Sequence, residues 1–246
     1  MTSIVDVWAQ TDVGRVRALN EDSFIARRPL FIVADGLGGH ARGDAASQAA
    51  IHVFDDAFPD DAPPHPDAVV AAITAANAEV RTLSLPDDIG AAVSGTTLVG
   101  LVEVATDGGH AWLALNVGDS RLYGWDGRRL DQLSVDHSAV QELYEAGLIS
   151  ASEMDSHPER NIITRALGAE DDVDADTWIL PASREQTFLV CSDGLTRELS
   201  DERIAGILAE SLPDESADPA RQLVDAAVAA GGRDNVTVIV VRVREA

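Results

Sequence analysis

Residues 31–34, Phe-Ile-Val-Ala, are apolar without a break and run straight into Asp35. That is the pattern of a strand buried on both faces. Helical spacing comes next. Over Gly43–Ala57, Ala46, Ala49, Ala50, Val53 and Phe54 fall on one face, and over 67–83 so do Val69, Val70, Ile73, Ala76 and Val80. The Pro-rich stretch 59–67 between them reads as a loop. Strand-like patterning then takes over in SGTTLVGLVEVA (94–105), HAWLALNVGDSRLYGW (110–125) and RRLDQLS (128–134), with Gly and Asp-Gly turns. Residues 137–167 are polar and weakly patterned, which predicts a surface insertion. Strands at 177–180 and 187–191, helices over Asp201–Ser211 and Pro219–Ala230, and a last strand NVTVIVVRV (235–243) complete the chain. There is no steady βαβ rhythm. The expected class is α+β, antiparallel sheets covered by helices.

Five aspartates punctuate these strands. Asp35, Asp119 and Asp193 finish apolar runs, whereas Asp22 and Asp234 precede them. In antiparallel sheets the end of one strand and the start of its neighbour share an edge. A hairpin over 22–35, turning at 27–29, would bring Asp22 and Asp35 together at its open end. Convergent carboxylates repel one another and lose hydration, and a bound cation relieves both costs. An all-oxygen donor set suits Mg²⁺ or Mn²⁺ better than zinc. Each aspartate alone also has a structural reading, as turn former or helix cap. Glycines beside four of them (35–36, 118–119, 193–194, 232–234) favour the metal reading, because a backbone without side chains approaches a ligand closely.

Composition narrows the function classes. Of 246 residues, 46% are hydrophobic, enough for a sizeable core, and the formal net charge is −24. Such a surface repels phosphate backbones and anionic lipid, so nucleic acid and membrane are not expected partners. The N-terminal residues lack the regions of a signal peptide and no apolar run approaches membrane-spanning length, so the cytoplasm is the expected location. The single cysteine, Cys191, sits in an apolar run and reads as a small buried residue. Two motif matches lead elsewhere. Residues 36–41 fit G-x-G-x-x-A, a dinucleotide fingerprint, but Asp35 would face the pyrophosphate and the other four acids would go unused. DVDADT, from Asp172, lacks the glycine and glutamate of a calcium loop.

RALNED, DGLGGH, SGTT, GDSR, SDGL and GRDNVTV occur in that order from Arg17 to Val238. Together they resemble the type 2C, or PPM-class, metal-dependent serine/threonine protein phosphatases, above all the compact bacterial members. The resemblance covers nearly the whole chain. It implies a single catalytic domain over 1–246, an α-β-β-α sandwich of two antiparallel sheets flanked by helix pairs, with a flap at about 137–165. Asp35 would bridge two ions, the Gly36 carbonyl would ligate one, and Asp193 and Asp234 would hold the other. Asp22, with Glu21 nearby, would bind through metal waters. Asp119 with Asp193 matches the position of a third ion, which Ser156 of the flap would approach. Arg17 would grip the phosphate and His40 would protonate the departing serine or threonine oxygen. His52, His65, His110, His137 and His157 are expected at surfaces or turns, Asp136-His137 with a structural role.

The implied reaction is hydrolysis of phosphoserine and phosphothreonine by a water activated between two Mg²⁺ or Mn²⁺ ions, reversing a serine/threonine kinase. The implied partners are phosphorylated proteins and that kinase, and the family suits a monomer. The competing readings are a non-enzymatic phosphoprotein-binding regulator of the same fold and a nicotinamide or flavin enzyme.

Overall fold

The computed structural model describes residues 3–37, 42–83, 94–154 and 156–245. Residues 3–12, for which the sequence pattern predicts no element, form β1 (Ser3–Asp12), with Val5, Val7 and Ala9 alternating into the core. The predicted hairpin is present as β2 (Asp22–Arg27) and β3 (Leu30–Leu37), with Asp22 directly opposite Asp35. Helices α1 (Gly43–Ala57) and α2 (Pro66–Thr82) follow, within a residue of their predicted bounds. Next come β4 (Gly95–Thr96), β5 (Leu98–Thr106), β6 (Gly109–Val117), β7 (Arg121–Trp125) and β8 (Leu130–Gln132). The insertion carries α3 (Ala139–Glu145) and α4 (Ala151–Met154). The chain ends with β9 (Asp176–Pro181), β10 (Gln186–Cys191), the single turn α5 (Asp193–Thr196), α6 (Asp201–Ser211), α7 (Pro219–Ala230) and β11 (Val236–Glu245).

All strand pairs are antiparallel and build two sheets, β1-β11-β10-β7-β8 and β2-β3-β5-β6-β9, with β4 added beside β3. The interior has three apolar layers, and the central strands explain their own composition. Along β3, Phe31 and Val33 point between the sheets, while Leu30, Ile32 and Ala34 point toward α1 and α2. Along β11, Ile239, Val241 and Val243 point between the sheets, while Val236, Val238 and Val240 meet α6 and α7. A strand covered on both faces needs apolar residues at every position. Each Val, Leu, Ile or Phe side chain so buried contributes about 1.5–3 kcal/mol. The result is a helix–sheet–sheet–helix sandwich, as expected.

Two details differ from expectation. The segment 110–125 is not one strand: it breaks at 118–120, so β6 lies in one sheet and β7 in the other. Gly118 makes the crossing, at φ 106°, and a side chain there would stand 2.6 Å from Thr97 Cγ2. The insertion is also anchored more deeply than a surface loop. His137, Ser138 and Leu167 are buried, and its neck is closed where Ala139 N donates to Ile162 O (2.9 Å) and Thr164 N to His137 O (2.9 Å). His137 is therefore no surface histidine. Its Nδ1 accepts from Gly118 N (3.1 Å) and its Nε2 lies 3.2 Å from Asp176, a structural role for the Asp136-His137 pair. Cys191 is fully buried, and burial pushes its thiol up to about 12.

Candidate metal centre

Strand ends from both sheets converge on one end of the sandwich. Asp22 and Asp35 come from the β2–β3 hairpin, and Asp119 from the turn where the chain changes sheet. Asp193 opens α5 just after β10, and Asp234 lies two residues before β11. The acids thus come from the rims of two sheets, not from one edge. Arg17, Glu21, Asp35, Asp193, Arg197 and Asp234 line a pocket of about 290 Å³, to which Gly36 also contributes. Gly36 cannot carry a side chain, because a Cβ there would strike the Gly43 carbonyl and stand 2.7 Å from Glu21 O. The glycine after Asp35 therefore lets the hairpin, the Glu21 backbone and α1 close on one another.

The carboxylates act on each other. Burial, then Asp22 and Asp193, raises Asp35 well above the usual carboxylate range. Burial and Asp119 do the same to Asp193, against the opposing charge of Arg197. Burial also raises Asp119 and Glu21. Asp22 is pushed up to about 6, chiefly by burial, although its Oδ2 accepts from Ser192 Oγ (2.8 Å) and Thr237 Oγ1 (2.7 Å). Those hydroxyls belong to the other sheet's strand ends, so Asp22 also ties the two sheets together. Asp35 is placed through its backbone: its N donates to Thr97 Oγ1 (3.0 Å), and its O accepts from Thr96 Oγ1 (2.9 Å) and Thr97 N (2.9 Å).

Arg17 sits on a loop that Asn235 organises. The Asn235 Oδ1 accepts from Glu21 N (2.9 Å), and its Nδ2 donates to Val13 O (3.0 Å) and Leu19 O (2.9 Å). Arg17 then grips Asp234 side-on, Nε to Oδ1 at 2.8 Å and Nη2 to Oδ2 at 2.9 Å. Asp234 holds the guanidinium more firmly charged.

Sequence patterning misses Arg197, which directly follows α5. It pairs with Asp193 one helical turn back, with Asp119 at 3.6 Å and with Asp234 at 3.5 Å. The available signal was the four-residue spacing from Asp193 on a helical turn. The flap reaches the pocket through Asn161 and Ile163. Ser156 does not reach it: it is exposed, and its hydroxyl donates to Glu153 O (3.3 Å). His40 lies outside the described residues, as do Gly38 and Gly39.

The residues fit a divalent cation. Asp22 Oδ1 and Asp119 Oδ1 are buried without a hydrogen-bond partner, a costly arrangement that a cation would relieve. The donors are all oxygens, as hard ions require. Among the described residues no three acid, histidine or cysteine side chains are close enough to enclose an ion as they stand. The carboxylates converge but stay apart, with Arg197 between three of them.

Comparison with known proteins agrees with this geometry. A family model described as protein phosphatase 2C matches residues 15–228. The serine/threonine phosphatase stp of Listeria monocytogenes is 36% identical over 250 residues, 94% of this chain and 93% of that protein. The crystal structure of the Mycobacterium tuberculosis serine/threonine phosphatase PstP/Ppp superposes with a TM-score of 0.86 at 36% identity, covering 98% of this chain and 99% of that one. A crystal structure of the PstP catalytic domain in complex with two manganese ions gives a TM-score of 0.85 at 35% identity, over 99% of this chain and 100% of that one.

Proposed function

This chain belongs to the protein phosphatase 2C family and is a metal-dependent protein serine/threonine phosphatase, and from that premise we propose how its residues divide the work. Phosphoproteins are its substrates and divalent ions its cofactors. The proposed ions are two Mg²⁺ or Mn²⁺, held by Asp35, the Gly36 carbonyl, Asp193 and Asp234, with Asp22 acting through water. The two manganese ions of the PstP catalytic domain support that number. One observation carries the reading: five aspartates and Glu21 gather at one end of the fold, and among the described residues Arg17 and Arg197 are the cations paired with them.

Bound divalent ions make a water nucleophilic at neutral pH and neutralise charge on the phosphoryl oxygens. The chain's own groups do the rest. Arg17 binds the phosphate through the end of its fork that is turned from Asp234, and Asp234 fixes the fork's direction. Ser192 and Thr237 orient Asp22. His40 gives a proton to the serine or threonine oxygen as the P–O bond breaks, so that phosphate and a free hydroxyl leave. The flap residues Asn161 and Ile163 form the wall against which the peptide lies.

The whole of 1–246 is read as one catalytic domain, because the two sheets share an interior. We place it in the cytoplasm as a monomer opposing a serine/threonine kinase. Among the described residues no helix is long and apolar enough to cross a membrane. The test is phosphate release from phosphoserine and phosphothreonine peptides. Release with Mn²⁺ and its loss in EDTA are expected. Full activity after EDTA, or saturable peptide binding without release over hours, overturns the reading.

A further inference from the structure

Among the described residues Arg197 is the cation that pairs with all three of Asp119, Asp193 and Asp234. It follows α5 by one residue, and its N donates to Asp193 O (2.8 Å), so backbone and side chain are both tied to Asp193. Its Nη2 reaches Asp193 and Asp119, and its Nη1 reaches Asp234. The Asp119 oxygen not facing it, Oδ1, is buried with no partner. Asp119 and Asp193 thus face one positive group across a space where two carboxylates would otherwise repel.

We infer that the Arg197 guanidinium takes the place of a divalent ion between Asp119 and Asp193, so that the centre takes up two ions and no third. Charge supports this. Glu21, Asp22, Asp35, Asp119, Asp193 and Asp234 carry six negative charges when ionised, Arg17 and Arg197 return two, and the Arg121–Asp136 pair that also acts on Asp119 is neutral as a unit. The remainder is the charge of two divalent ions. Removing Arg197 takes away the positive group between Asp119 and Asp193, and a third ion then answers the loss. Because the Arg197 side chain is only 37% exposed and held on three sides, a third ion in the unaltered protein would have to displace it. The inference rests on the metal-dependent reading above and adds to it the residue that sets the number of ions.

The test counts ions rather than turnover. Metal-free protein is titrated with MnCl₂ by calorimetry, and bound manganese is measured after equilibrium dialysis. Two ions are expected on the unaltered chain and three on Arg197→Gln. The third should bind at least about tenfold tighter than any third ion on the unaltered chain, the effect of removing one positive charge about 4 Å away. It should vanish in the double variant Arg197→Gln/Asp119→Asn, and Arg197→Lys, which keeps the charge, should hold the count at two. Three ions of similar affinity on the unaltered chain overturn the inference, even if Arg197→Gln fails to fold. So does an unchanged count in a folded Arg197→Gln with a raised KM for phosphopeptide, which would make Arg197 a substrate contact. In either case the metal-dependent reading survives. No bound manganese on the unaltered chain overturns both.

Discussion

Glu103 and Asp22 are carboxylates at opposite ends of the sheet formed by β2, β3 and β5, and they keep different company. Glu103 accepts two hydrogen bonds from Arg28 (2.9 and 2.8 Å) and lies 3.1 Å from His110. Asp22 meets only hydroxyls, faces Asp35, and leaves one oxygen without a partner. Asp136 resembles Glu103, since Arg121 grips it at 2.7–3.0 Å. The difference separates two uses of a buried acid. One that serves the fold is matched with a cation of the chain. The acids of the metal centre, taken together, are left short of positive charge even with Arg17 on Asp234 and Arg197 on Asp193, and the shortfall is the binding energy held for an ion.

Substitution at the two ends should show this most sharply. Asp35→Asn or Asp193→Asn is expected to lower kcat by more than about 100-fold, beyond the usual loss for groups that only support a metal ligand. The metal-free Asp35→Asn protein should melt no lower, since a like charge has gone from beside Asp22 and Asp193. Glu103→Gln should do the reverse, leaving phosphate release unchanged and costing about 1–2 kcal/mol in urea unfolding because Arg28 loses its charged partner, partly screened by solvent. Parallel assays of kcat and unfolding check both; a Glu103→Gln enzyme that is inactive but stable would erase the distinction.

Smaller effects refine it. Ser192→Ala or Thr237→Val should weaken Mn²⁺ binding by about 10- to 100-fold, read by calorimetry, because each removes a donor that aims Asp22. Arg17→Lys should raise the KM for phosphopeptide about tenfold with a lesser change in kcat, since an ammonium lacks the planar fork. The smallest effect is on pH. Asp22, Asp35 and Asp193 have raised pKa values in the folded metal-free protein. Their contribution to stability is therefore full below the unfolded value near 3.8 and is lost as pH rises, for Asp22 through about 6. The metal-free protein should lose on the order of 2 kcal/mol between pH 4 and 7 from Asp22. Saturating Mn²⁺ should abolish that slope, and thermal melts across pH with and without the ion measure it.

Much of this was legible in the chain. Helices with a clear apolar face, over Gly43–Ala57, Asp201–Ser211 and Pro219–Ala230, have the bounds that the pattern predicts. The acids were legible because each stands where an apolar run stops. β1 was not, because alternation with Asp6 and Gln10 on its other face is a weak signal without its partner β11. The break between β6 and β7 was hidden because both halves are apolar and only Gly118 marks the change of sheet. Asn235 and Arg197 act through contacts with residues distant in sequence, Asn235 with Val13, Leu19 and Glu21, and Arg197 with Asp119. No local period records such contacts.

The neck of the insertion has a consequence for engineering. Residues 139–162 leave and rejoin the sandwich at adjacent points, stitched by the backbone bonds of His137, Ala139, Ile162 and Thr164. A replacement cassette of another length can span that gap without moving the rims from which the aspartates project. Exchanging it should retarget the enzyme toward different phosphopeptides while its appetite for manganese stays the same.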